Sequence, residues 1–152
     1  MMENAYSTLS EGGEPSATAV LTLFTVFAGA AMSWTADLLR RLESTRDDAN
    51  AAYKVYTRLA LMIADDPNHS LAPSASALAA LVTLAQVVLN SDDGFRTREF
   101  MLRSRSLMMA RGLQLHRLDT AHSRAERSAK GFNSIELQVQ RRAWWHLVAS
   151  DW

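Results

Sequence analysis

"RRAWWHLVASDW", residues Arg141 to Trp152, closes the chain and decides how the rest is read. Leu147 and Val148 follow Trp144 by one helical turn and share its face. Val148 and Trp152 form an adjoining stripe with Trp145. Adjacent tryptophans on a helix point about 100° apart, so both are buried only where the helix lies between neighbours on two sides. No Gly, Asn or Pro follows as a stop signal. The stretch reads as one helix of an all-α assembly. The pattern starts that helix near Ser134, with Ser134 as its cap.

Working back from this helix, every other element is also helical. An apolar run predicts a helix from Ser16 to Glu43 with Val20, Phe24, Phe27, Ala31, Trp34 and Leu38 on one face. Asp47 or Asp48 is positioned to cap a second helix, whose stripe is Ala52, Tyr56, Leu59 and Ile63 and which ends before Pro67. The third runs from Ser74 to Asn90 and buries Leu78, Leu81, Val82, Ala85, Val88 and Leu89. After "NSDDGF" a fourth spans Phe95 to Leu115, and "RLDTAHSRAERSAKGFNS", residues 117–134, reads as a polar connection. Nowhere do apolar and polar residues alternate as in a strand. The expected fold is an all-α bundle of about five helices over residues 16–152. It follows a flexible segment, residues 1–15, broken by Gly12, Gly13 and Pro15.

A chain of 152 residues is long enough for one buried core, and 48% hydrophobic with 21% charged residues suits a folded protein. Its 16 basic residues balance its 16 acidic ones, so net charge points to neither nucleic acid nor membrane. There is no cysteine, which excludes disulfides, thiolate zinc sites, iron–sulfur clusters and a cysteine nucleophile. Two uncharged stretches, Pro15 to Ala36 and Ser70 to Ser91, approach the length of a membrane span. The first is two-sided, with Thr18, Thr22, Thr25, Gly29 and Ser33 opposite its large apolar residues, which favours a bundle over lipid. Acids at Glu3, Glu11 and Glu14, in place of bases, argue against a secretory signal.

Catalytic patterns are missing. There is no Gly-rich phosphate loop and no nucleophile elbow. His69, His116, His122 and His146 fall at unrelated spacings. The pairs Asp47–Asp48, Asp65–Asp66 and Asp92–Asp93 all sit at helix boundaries, where carboxylates cap unpaired backbone N–H groups. No enzyme, no cofactor and no metal site is expected. The fourth helix is basic, with Arg96, Arg98, Arg103, Arg105 and Arg111, then Arg117, against Glu99. A nucleic-acid helix looks like this. An amphipathic helix whose arginine stems cover apolar neighbours, their heads paired with acids of the N-terminal half, looks the same. Phe100, Met101, Leu102, Leu107, Met108 and Met109 favour the second, so no direct nucleic-acid contact is expected.

"MARGLQLHRLD" (Met109 to Asp119), a polar spacer and "IELQVQRRAWWHLVASDW" (Ile135 to Trp152) together resemble the α-helical middle homology region of fungal zinc-cluster transcription factors. Leu113, Leu115, His116 and Arg117 match the first part of that pattern, with Gln114 where the family usually has Gly. Glu136, Arg141, Arg142, Trp144, Trp145 and Asp151 match the second. The specific match covers roughly residues 95–152. The resemblance implies that these are scaffold residues of a regulatory domain in the nucleus, none of them catalytic. It implies action through protein partners, the remainder of the regulatory domain or a small-molecule effector. Zinc and DNA belong to the parent family's six-cysteine cluster, which this cysteine-free chain lacks.

The family's domain continues past the position of Asp151, so the resemblance implies a chain cut short at both ends. The residues themselves leave two other readings open. One is a stand-alone interaction module that dimerises on its tryptophan face, and the other is a small two-span membrane protein. A partial domain is expected to aggregate or stay partly molten, because Trp144, Trp145 and Trp152 lack neighbours. Sedimentation and tryptophan emission check this: a polydisperse, red-shifted sample is expected, and a monomer with a sharp melt and blue-shifted emission contradicts it.

Overall fold

A computed structural model of the protein describes residues 16–67, 70–90 and 96–149. Among these residues there are seven α-helices, one short 3-10 turn and no strand. They are α1 (Ala17–Met32), α2 (Ala36–Arg41), α3 (Arg46–Asp65), α4 (Ala75–Leu89), α5 (Arg96–Gly112), the 3-10 turn Leu115–Arg117, α6 (Ala121–Lys130) and α7 (Ser134–Ala149). The all-α reading stands, but with seven helices in place of about five. The expected flexible segment, His69 and the Asp92–Asp93 pair lie outside the described residues.

Two helices were hidden for different reasons. The run from Ser16 to Glu43 breaks after Met32. There the Ser33 hydroxyl donates to the Gly29 carbonyl at 2.8 Å, and Thr35 restarts the helix by accepting from the Leu38 N–H at 3.2 Å. Helix α6 occupies the expected polar connection. Thr120 caps it, a Lys130–Glu126 ion pair of 2.6 Å spans its last turn, and none of its residues is buried. With no apolar stripe it left no periodic signal.

Caps also shift by a residue or more from their expected places. Thr45 caps α3, and Asp48 reaches back to the Thr45 N–H at 2.8 Å, a reciprocal capping box. Asn133, not Ser134, caps α7, its side-chain oxygen accepting from the N–H groups of Ile135 at 3.0 Å and Glu136 at 3.3 Å. The seam of α3 likewise turns by one residue. Tyr53, Thr57, Ala60, Leu61 and Ala64 are buried, while Ala52, Tyr56, Leu59 and Ile63 are only half-buried.

Helix α4 is the centre, with eight of its fifteen residues buried. It touches α1, α3, α5 and α7. Leu78, Leu81, Ala85 and Val88 are buried as their spacing predicts; Val82 is half-buried and Leu89 exposed. One core cluster joins Leu81, Leu84 and Val88 to Leu21, Leu61 and Leu102. A second joins Leu78 to Ala110, Leu115, Ala143 and Leu147. Buried Tyr53 donates to the Val87 carbonyl at 3.0 Å and ties α3 to the end of α4. The two apolar stretches form helices of 16 and 15 residues, and among the described residues no helix is long and apolar enough to cross a membrane.

Between α1 and α3 lie two buried hydroxyls, Thr25 and Thr57, that find no hydrogen-bond partner among the described residues. Thr22, by contrast, donates to the Thr18 carbonyl at 2.7 Å. A buried hydroxyl without a partner costs about 1–3 kcal/mol, so Thr25→Val and Thr57→Val, which keep shape and remove the polar atom, are each expected to raise stability by about 1 kcal/mol. Leu84→Ala, in the middle of the largest cluster, is expected to lower it by about 2–5 kcal/mol. Urea denaturation followed by circular dichroism checks both signs.

Candidate functional site

After α5 the chain turns at Gln114, whose backbone is left-handed at φ 57° and ψ 29°. This is the position where the resembled pattern carries Gly, the residue that adopts this conformation without a Cβ clash. The turn sends Leu115 inward, where it is almost wholly buried among Leu78, Ala110, Ala143 and Leu147. Leu113 packs half-buried against the same cluster. His116, one residue on, is exposed and lies beside Trp144 of α7, with ring centroids 6.1 Å apart and planes at 53°.

The two halves of the motif therefore meet. Trp144 packs half-buried against the second core cluster. Arg141 makes a forked contact with Asp119: its Nε lies 3.0 and 3.3 Å from the two carboxylate oxygens, and its Nη2 donates to the first. Hydrogen bonds from Arg141 hold the Asp119 carboxyl below its ordinary value, with the Arg127 and Arg124 charges acting in the same sense. Asp119 was not singled out in the sequence, although it stood inside the quoted motif. Its partner lies 22 residues away, across a helix whose presence was not legible.

The remaining motif residues do not join this cluster. Arg117 and Glu136 are exposed, and Glu136 accepts from Gln140 within its own helix at 3.3 Å. Asp151 lies outside the described residues. Trp145 is 62% exposed, so the paired tryptophans are covered on one side and open on the other. Ile135 at 75% and Phe132 at 57% are also exposed, at the opposite end of α7 from Trp145. Arg142 and His146, one turn apart, border a groove of about 390 Å³ between α4 and α7. Its apolar walls are Ala79 and Val82 on α4 with Val139 and Ala143 on α7.

The basic helix α5 is held by the N-terminal half. Arg98 pairs with Asp65, and Arg105 donates to the Ala64 carbonyl at the end of α3. Arg103 pairs with Glu99 one turn before it at 3.2 Å. Asp65 is thus an ion-pair partner, not a cap. Among the described residues no three His, Asp or Glu side chains gather as metal ligands do.

No family model matches the chain, and no solved structure matches it. Two curated proteins align with it along almost its whole length. The probable transcription factor lepB of Aspergillus flavus is 30% identical over 155 aligned residues, covering 99% of this chain and 27% of that protein. The agnestins biosynthesis cluster transcription factor AgnL11 of Paecilomyces divaricatus is 24% identical, covering 100% of this chain and 22% of that protein. Both are named transcription factors from fungi, as the motif resemblance implied. The chain spans about a quarter of the length of these relatives.

Two substitutions probe the junction. Gln114→Gly relieves a left-handed non-glycine residue and is expected to raise stability by about 0.5–1 kcal/mol, with the opposite sign for a β-branched Gln114→Val. For Asp119 the folded carboxyl titrates below the unfolded one. Its contribution is therefore present above the ordinary carboxylate value and is lost as pH falls through the folded value. Asp119→Asn is expected to lower stability near pH 7 by at most about 1 kcal/mol, as an exposed forked pair allows, and to match the parent in acid. Thermal melts across that pH range, read by tryptophan emission, decide it.

Proposed function

We propose that this chain is a regulatory segment of a fungal transcription regulator, the kind of protein it matches along its whole length. The alignment with two such factors carries the reading. Under this reading the segment is part of a larger α-helical domain, the middle homology region of a zinc-cluster regulator, and works in the nucleus. DNA contact and zinc belong to a cysteine cluster elsewhere in the parent. The segment neither catalyses a reaction nor touches DNA itself.

Its output is a protein contact, and the open face of α7 is the place for it. Trp145 toward the end of α7, Ile135 at its start and Phe132 just before it leave large apolar side chains exposed, residue types that protein interfaces favour. Three of the five arginines of α5, Arg98, Arg103 and Arg105, each have a partner within the protein, which supports the absence of DNA contact through them. A homodimer through the same tryptophan face is the second reading, favoured by the exposure of Trp145 alone.

A tethering assay tests the proposal. The 152-residue chain, fused to an unrelated DNA-binding domain in yeast, is expected to change reporter output at least about fivefold relative to that domain alone. Trp145→Ala removes an interface aromatic of the type that dominates binding energy, typically about 2 kcal/mol or more, and is expected to abolish most of that change at equal protein level. Output indistinguishable from the DNA-binding domain alone overturns the regulatory reading.

A further inference from the structure

We propose that the groove between α4 and α7 binds a small amphipathic carboxylate, its acid on Arg142 and its apolar body over Val82, Val139 and Ala143. The inference rests on the regulatory reading above and gives its effector a place and a chemical class. Three observations carry it.

The first is charge. Arg142 is exposed at the groove's edge, and it has no ion-pair or hydrogen-bond partner among the described residues. Among the described residues no acidic side chain lines the groove. The arginines α5 directs at the rest of the bundle contrast with this: Arg98 and Arg105 both reach acceptors on α3. A planar guanidinium next to an apolar wall suits a carboxylate, which it contacts through two parallel hydrogen bonds.

The second is size and shape. A volume of about 390 Å³ falls in the lower part of the range typical of small-molecule sites. The lining runs from Ala79 to Gln86 on one helix and from Val139 to His146 on the other, two turns of each, or about 10 Å. A free peptide helix needs about 12–15 residues to hold its shape, roughly twice that length. The groove therefore commits to a small molecule, not to a docked helix. The larger depression along α5, about 540 Å³, is lined by Asp65, whose charge repels an acid, and its two arginines are engaged, Arg98 with Asp65 and Arg105 with the Ala64 carbonyl.

The third is position. Helix α7 buries only Leu137, Ala143 and Leu147, and the Arg141–Asp119 pair holds its opposite flank. A ligand spanning Val82 and Arg142 bridges α7 to the central helix on the flank that lacks such a pair. Occupancy then steadies α7, and with it the surface carrying Trp145.

The test is a titration of the full 152-residue chain, labelled with nitrogen-15, with 4-phenylbutyrate, and with 4-phenylbutyramide as the uncharged counterpart. Saturable amide shifts confined to residues 79–86 and 139–146 are expected, with a dissociation constant of about a millimolar or tighter for a ligand of this size. The amide is expected to bind about tenfold more weakly, the size of effect a charge-assisted pair supplies. Arg142→Gln is expected to weaken the acid about tenfold. Thr83→Glu, which places a negative charge at the exposed rim, is expected to weaken it as much, with circular dichroism unchanged in both. Equal binding of acid and amide, acid binding unaltered in Arg142→Gln, shifts mapping to α5, or no saturable shift overturns the proposal. The titration reads the groove alone and the reporter reads the segment's regulatory output, so either can fail without the other.

Discussion

Helix α4 carries no charged residue from Ala75 to Leu89, and it is kept from water only because four other helices touch it. An isolated helix of that composition would expose apolar surface all round, so it has no stable place except the middle of a bundle. Small residues make the crowding feasible. Ala28 and Ala31 on α1, Ala60 and Ala64 on α3, and Ala77, Ala80 and Ala85 on α4 are all buried, and short side chains let the helix axes approach while leucines fill what remains. The cost of this arrangement is visible in Thr25 and Thr57, which sit in the α1–α3 seam with their hydroxyls unpartnered.

The C-terminal part is built on this block and depends on one backbone turn. Gln114 bends the chain so that Leu115 enters the second core cluster; the same bend brings His116 and Asp119 alongside α7. Helix α7 is secured by three buried residues, one half-buried indole and one forked ion pair. That is little beside the eight buried residues of α4. Local stability follows local burial, so a partner or ligand shifts α7 at lower cost than α4.

What was legible in the sequence was periodicity. Leu78, Leu81, Ala85 and Val88 were placed on a buried face and are buried. The two motif halves were paired on pattern alone, and the structure brings Leu115 and Trp144 into one cluster. What was not legible depended on contacts distant in sequence, or on polar signals without a period. The break at Ser33 sits in an apolar run, where a cap is easily read as one more turn. Helix α6 has no buried residue to announce it. The α3 seam is turned by one residue because Tyr53 must reach the Val87 carbonyl, 34 positions away. Asp119 acquires its role from Arg141, and nothing local to either residue selects the other.

The basic character of α5 shows why charge content and charge availability must be kept apart. A run of arginines on one helix has the composition of a nucleic-acid contact, but phosphate binding requires cations that are free to meet it. Arg98 is paired with Asp65, Arg103 with Glu99, and Arg105 satisfies a carbonyl at the end of α3, one of the acceptors every helix leaves unpaired. Arg98 and Arg105 thus fasten α5 to the end of α3, while the Arg103–Glu99 pair stays within α5. Arg142 differs in kind. It is on a different helix and faces an apolar groove, where it meets no acid among the described residues, so in the regulatory reading it is available to something the bundle does not supply.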